Sequence, residues 1–542
     1  MRVEGILPGP RGFTTPFIDQ YREIEGITEA MGAYRGRAFD LSHTPGRSVS
    51  ILGIDTTDFQ GVAWYREDFA DLSLQTLVGN LHHGEIPNGL EIPQNATHIN
   101  AIVKTDRPYE SLEMILRVRD VNNRHFSYSF GKLKFYDQDE YGDQNLENDW
   151  ATMSTSLHGK RLDTSNPWLL PVPPLQLVSI VVSERDDRKM LESGWILVDE
   201  ITATIDNSDQ VTLDSFKEAQ NWSVLKTTPE SVSDKVLYSK GMGRKGEDSV
   251  LFSWSRGRSM TSRGIYPGST VAALPVLAGA KFLSDSGHEI GDEFEITVGG
   301  GQLLTRIIGT VDYFPTIDTV TEPWIVADLM SLVGLSNMEA TFAEMAVPNE
   351  AWLSIEDDFS DRAGLSEYLK TKGTPPGFFT SPVVHDQRGL LDLARVDPLL
   401  DAGWRALLIV AFSTVLVLSC IGLLLHTYVS FRDREGQFAL LRAIGFSLNQ
   451  IATLVWIEQA VVVLTGLALG TWMGGQVGST IMTFLGHDDT GERVLPPYTM
   501  DADWITLLLT YSLIVAVFSI VIAAVVMVIK RLSLQKVLRF GE

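Results

Sequence analysis

From Ala406 to Leu425 the chain reads ALLIVAFSTVLVLSCIGLLL, twenty residues without a charge. At about 1.5 Å per helical residue the run reaches about 30 Å, the thickness of the hydrocarbon layer of a bilayer. A soluble helix of that length would show a polar stripe. None is present, so the run is expected to cross a membrane. Two more segments share this character, and the expected spans are 405–427, 451–475 and 504–529. Glu458 is the only acidic residue within a span. An ionisable group at such depth is a functional candidate, but it sits near the start of its span, within reach of the interface. Anchoring is therefore expected ahead of proton handling.

The basic residues orient these spans. Arg432, Arg434 and Arg442 lie between the first and second spans, and Lys530, Arg531, Lys536 and Arg539 follow the third. Between the second and third there is only Arg493 against Asp488, Asp489, Glu492, Asp501 and Asp503. The first connection and the C-terminus are thus expected in the cytoplasm, with residues 1–403 outside, in a multi-pass plasma-membrane protein. Residues 404–542 hold nine basic and nine acidic side chains, so the whole net charge of −24 falls on residues 1–403. An acidic surface of that size repels nucleic acid, which is not expected as a partner. Residues 1–30 carry no signal peptide or span. An export signal is therefore expected upstream, on a missing helix or a preceding permease half. Cys420, the single cysteine, permits no intrachain disulfide.

The first connection reads SFRDREGQFALLRAIGFSLNQIATLVWIEQ over 430–459. Phe438, Leu441 and Ile444 recur at helical spacing among Arg434, Glu435, Gln437 and Arg442, the pattern of a short amphipathic helix at a membrane surface. Gly445 is a helix stop, and Ser447 with Gln450 forms a capping box for the next helix. On these residues, on Glu458, on the Gly-rich stretch that follows and on the tail KRLSLQKVLRFGE, the last 140 residues or so resemble the FtsX-like (MacB/FtsX-type) permeases of ABC transporters. The resemblance implies that Arg434, Glu435, Phe438, Leu441, Arg442 and Gly445 form a coupling helix that docks on a separate ATP-hydrolysing subunit. It also implies a second permease or permease half as partner, and ATP used by the ATPase with no cofactor on this chain. The competing reading is a surface helix that anchors the bundle and binds nothing. Gly466, Gly470, Gly474 and Gly478 recur every four residues, a smooth ridge for close helix packing.

Outside the membrane, 17–81 and 274–316 mix helical and extended patterns. They resemble the two halves of the α+β outer domain of FtsX-type and MacB-type permeases. In this reading QYREIEG starts a helix that becomes extended, and LPVLAGAKFLSDSG is a helix ahead of paired strands. Between them, 92–205 alternates with period two in INAIVKTD, LEMILRVRD, LQLVSIVVSE and GWILVDEITATI, which points to an all-β sandwich. The succession of strands with Trp150, Gly194-Trp195 and Asp199-Glu200-Ile201 resembles galactose-binding-like jelly rolls.

The expected organisation is an α+β core (1–85 and 207–403), an inserted sandwich (86–206) and a three-helix transmembrane domain (404–542). Tyr141, Trp150 and Trp168 are candidate sugar-stacking aromatics, against a core role for big aromatics such as Trp150 and Trp195. Asp137, Asp139 and Glu140 offer calcium-type oxygens, against a solvated loop.

No motif selects an enzyme. Gly241–Ser249 lacks the Lys-Ser/Thr of a phosphate loop, and neither H-E-x-x-H nor G-x-S-x-G occurs. No catalytic or metal residues are assigned. Two functions compete. One is a permease subunit that couples a partner's ATP hydrolysis to movement of the outer domain. Its work would be export or extraction of lipid, lipoprotein or peptide, or control of a cell-wall enzyme. The other is a membrane-anchored carbohydrate-binding receptor or adhesin with no motor, its ligand a carbohydrate or another component of the cell envelope.

Overall fold

The structure, a computed structural model, describes every residue except 5–17, 44, 82–85, 135–149, 163–169, 185–189, 207–208, 217–221, 226–232, 258–261, 300, 320, 341–344, 373–381, 395–397, 487–503 and 540–542. The chain divides into two compact units, Met1–Leu390 and Leu391–Glu542.

The first unit opens with β1 (Arg2–Glu4), α1 (Asp19–Arg22), β2 (Ile27–Asp40), β3 (Arg47–Ile54), α2 (Phe59–Val62) and α3 (Leu74–Leu81). Twelve strands follow. The first six are β4 (Leu90–Ile92), β5 (Ala96–Thr105), β6 (Leu112–Arg119), β7 (His125–Lys132), β8 (Ala151–Ser156) and β9 (Leu175–Glu184). The others are β10 (Gly194–Ile205), β11 (Gln210–Asp214), β12 (Trp222–Val224), β13 (Lys235–Ser239), β14 (Ser249–Trp254) and β15 (Ser262–Pro267). The chain then returns with β16 (Leu274–Gly279), α4 (Ala280–Ser286), β17 (Glu293–Val298), β18 (Gly301–Val311) and β19 (Trp324–Asp328). It closes with α5 (Leu329–Glu339), β20 (Glu350–Ile355), α6 (Arg362–Lys372), β21 (Val383–His385) and α7 (Gln387–Ala394).

The flanking segments interleave in one mixed nine-stranded sheet, β17-β18-β16-β19-β3-β2-β20-β1-β21. It curls until β17 also pairs with β2, at Ile296–Asp40 and Thr297–Phe39, so that six strands close into a ring. Alternation along each strand sorts the side chains. Val49, Ile51, Val276, Ala278 and Ile325 share one core with Leu332, Leu335 and Met338 of α5. Leu52, Ile54, Leu277 and Val326 share another with Leu77, Val78 and Leu81 of α3. The ring's seam is pinned by Asp40, whose buried carboxylate accepts from Ser42 N at 2.9 Å and lies 3.0 Å from His288 Nε2. Burial alone would raise this carboxyl; the bonds from Ser42 and His288 outweigh it and hold it below its ordinary value.

Strands β4–β15 build two antiparallel sheets, β13-β14-β10-β5-β8 with β11 on β10, and β12-β15-β9-β6-β7 with β4 on β9. Ile99, Val103, Val198 and Phe252 of the first face Met114, Leu116, Phe126 and Ile180 of the second in one core. Arg263 on β15 and Asp234, just before β13, pair across the two sheets with both side chains fully buried and Nε–Oδ2 at 2.6 Å. The second sheet is buried on its other face too. Ile115, Val181 and Tyr266 belong to the core that holds α5. Arg117, 0% exposed, donates to the carbonyls of Asn337 and Ala340 at the end of that helix, and Ser179 Oγ donates to Met338 O. A cation at a helix C-terminus meets the negative end of its dipole and its unpaired carbonyls.

Three expectations change here. The sandwich runs to Pro267 rather than 206, because five short strands after 209 complete its sheets. LPVLAG, expected to be helical, is strand β16. Its six residues are all buried, and a run buried on both sides has no alternation to betray it. In 18–40 only Asp19–Arg22 is helical, and after a turn Ile27–Asp40 forms the long strand β2.

The second unit consists of α8 (Pro398–Asp433), α9 (Glu435–Ala443), α10 (Leu448–Leu485) and α11 (Trp504–Arg539). Candidate spans are Ala406–Ser430, Asn449–Ile481 and Leu507–Ala524. Helix α8 starts before the expected boundary at 403/404, extending beyond the apolar run. Leu407, Leu408, Ile409 and Val410 are all at least 60% exposed, a surface suited to lipid rather than water. Three apolar helices thus follow a large sheet-rich domain.

Two outcomes follow. Arg117→Met leaves two carbonyls of α5 without a donor, and the purified chain is expected to lose about 3 kcal/mol of stability to denaturant. Asp40 has a folded pKa below its unfolded value of about 3.9, so its contribution is complete above that value and is lost as pH falls through the folded one. Asp40→Asn is expected to lower the thermal midpoint at pH 7 and to flatten its fall between pH 5 and 3.

Candidate functional site

Helix α8 ends at Asp433 and α9 begins at Glu435, so the break falls at Arg434. Phe438 N still donates to Arg434 O at 3.0 Å, which keeps the bend tight. Helix α9 ends in a left-handed glycine, Gly445 at φ +106°, and Phe446 N donates back to Leu441 O at 3.1 Å. That is a Schellman closure, which needs a residue without Cβ strain at this position. Ser447 then caps α10 reciprocally. Gln450 N donates to Ser447 Oγ at 3.3 Å, and Ser447 N donates to Gln450 Oε1 at 2.9 Å. The turn's backbone polar groups are met locally, so the direction of α9 is set by the chain itself.

The exposed face of α9 differs from the one its spacing suggested. Phe438 and Leu441 are half-buried, whereas Leu440 is 64% and Ile444 69% exposed, with Gln437 on the same side and Phe446 open just beyond. Spacing of three residues marked 438, 441 and 444 as one stripe but could not say which neighbours the bundle would cover. Glu435 and Arg442 lie on α9, and their side chains fall outside the described ones. Arg434 does not stand free: its Nη1 lies 3.0 Å from both carboxylate oxygens of Glu458. About two turns deeper, Thr427 Oγ1 donates to Leu423 O at 2.7 Å and lies 3.3 Å from Gln459 Oε1, both Thr427 and Gln459 being 1% exposed.

Along α10, a Cβ built on Gly466, Gly470 or Gly474 would meet nothing within 4 Å, so this part of the ridge is open in a single chain; Gly478 lies on the same helix. Thr471 and Tyr511 share a hydrogen bond of 2.6 Å between α10 and α11. Among the sandwich aromatics, Trp150 is 5% exposed and packed inside. Tyr141 and Trp168, and the acidic run 137–140, lie outside the described residues. Among the described residues no group of three or more His, Cys, Asp or Glu is placed to hold a metal ion.

Gly445→Ala places a Cβ at positive φ and is expected to cost about 1–2 kcal/mol locally. Hydrogen exchange of residues 443–450 should speed up accordingly, with the exchange of α11 unchanged.

Comparison with known proteins bears on this same hairpin. No curated protein matches the chain. Residues 409–536, which span most of α8, all of α9 and α10 and most of α11, match the family model described as FtsX-like permease C-terminal. Over these residues the chain carries an FtsX-like permease C-terminal domain, the mark of a family of membrane transporter subunits that generally work with an ATPase partner.

Proposed function

We propose that this chain is the permease subunit of an ABC-type complex, with α9 as the element on which a separate ATPase docks. The observation that carries this reading is the exposed pair Leu440 and Ile444, presented on a helix whose exit is locked by Gly445 and Ser447. An apolar helix face held in a fixed direction is the form that a groove-binding contact takes. In this reading the Arg-rich end of the hairpin and the C-terminus face the cytoplasm, where ATP is available, and residues 1–403 lie outside. The open glycine ridge on α10 suits close packing against a second permease or permease half. Hydrolysis in the ATPase would tilt the hairpin and so displace the outer domain, to move a lipid, lipoprotein or peptide or to control an envelope enzyme.

The test is affinity purification of the full chain from its native membranes. A co-purifying subunit that carries a phosphate-binding loop and hydrolyses ATP is expected. Leu440→Asp or Ile444→Asp should weaken its retention by about 2 kcal/mol, roughly thirtyfold, while Leu441→Asp should act mainly on folding. Equal retention by all three variants would remove α9 from the contact.

A further inference from the structure

We propose that Arg434 and Glu458 form a latch that joins α8, α9 and α10 into one lever. Arg434 is then a positioning residue of the hairpin and not a contact for the ATPase. The inference rests on the docking reading above, which it deepens by naming the path that motion takes.

The hairpin has two places where it can bend. One is the break between α8 and α9 at Arg434; the other is Gly445, in its left-handed conformation. With both free, a push on α9 would swivel it about its ends and leave the membrane helices where they are. The ion pair removes the first freedom. It fastens the residue at the break to α10, 24 positions further along the chain, through two contacts of 3.0 Å. Thr427 and Gln459 add a second tie between the same helices. Thr427 on α8 lies seven residues, about two helical turns, before Arg434, which immediately follows the end of that helix. Their partners Glu458 and Gln459 are consecutive on α10. Two polar ties so arranged resist both sliding and rotation of α8 against α10.

Energetics favour the same assignment. Glu458 lies inside the apolar segment Asn449–Ile481. An ionised carboxylate there is costly unless paired, and Arg434 supplies the pair. In water a pair with side chains 46% and 40% exposed would contribute little. At a bilayer edge the surrounding dielectric falls, and the same 3.0 Å contact is worth more. A proton-carrying role for Glu458 would require it to give up this partner.

The experiment uses the full chain in nanodiscs, with Cys420→Ser and spin labels at Gln437→Cys on α9 and Val462→Cys on α10, both exposed positions. The parent should give a narrow distance distribution. Arg434→Glu, Glu458→Arg and the milder Glu458→Gln should each broaden it roughly twofold, and the double swap Arg434→Glu with Glu458→Arg should narrow it again. Where the ATPase is present, its retention by Glu458→Gln should stay within about twofold, while its stimulation by the permease falls roughly tenfold. Unchanged distributions in the folded single variants would overturn the latch. So would loss of ATPase retention in Arg434→Glu but not in Glu458→Arg, since Arg434 would then be a docking contact. A chain that binds no ATPase yet shows the broadening and its rescue would keep the latch and refute the docking reading.

Discussion

Hydrocarbon offers a backbone nothing to hydrogen-bond with, and the second unit is organised around that lack. Its spans are unbroken helices whose Leu, Ile and Val side chains stay exposed on most sides, because lipid is their intended neighbour. In the first hairpin, irregular backbone is confined to the break at Arg434 and the few residues between α9 and α10. The turn between α9 and α10 is closed by the Phe446–Leu441 bond and the reciprocal Ser447–Gln450 bonds. The requirement that helix ends be satisfied next to a bilayer thus produces a turn with little freedom. A turn of that kind can present Leu440 and Ile444 in a constant direction.

The first unit meets a different constraint. Its one-cysteine chain has no disulfide to staple it, so a unit of 390 residues must stiffen through burial. It does so by using one sheet twice. Met114, Leu116 and Ile180 face into the sandwich, while Ile115 and Val181 face α5 and the curled sheet. Helix α5 is held at both ends. Asp328 caps its first turn by accepting from Ser331 N, and Arg117 reaches from the sandwich to its last carbonyls. The inserted strands are therefore a buttress of the domain they interrupt and not a module on a tether. Load applied to the sandwich passes into α5 and on to the curled sheet.

What could be read from the residues alone tracks the range of the interactions involved. The Gly445 stop and the Ser447–Gln450 cap act over three to five positions, and the sequence displays them in full. The apolar spans are equally plain, since lipid exposure leaves no periodicity to decode. By contrast, LPVLAG was misread as helix because β16 is buried on both sides. The last strands of the sandwich are short and broken by turns, so their membership of a sheet became visible only through pairing with β9, β10 and each other. Of the stripe that spacing marks on α9, Ile444 is exposed while Phe438 and Leu441 are half-buried. The amphipathic pattern of α9 is clear, but the covering surface comes from other helices, and no local signal reports it.

Arg117 and Arg434 show how far that last kind of blindness reaches. Arg117 lies in the strand segment LEMILRVRD, and Arg434 precedes the amphipathic helix of the first connection. Arg117 serves carbonyls more than 200 positions away and is fully buried, while Arg434 serves a carboxylate 24 positions away on a membrane helix. In each case a permanently charged group meets acceptors at a helix end: the last carbonyls of α5, and a carboxylate of α10 beside the break before α9. For both arginines one nitrogen, Nη1, makes both contacts. The stiff points of both units thus depend on side-chain geometry acting at long sequence range, while the helices between them follow from local pattern and solvent.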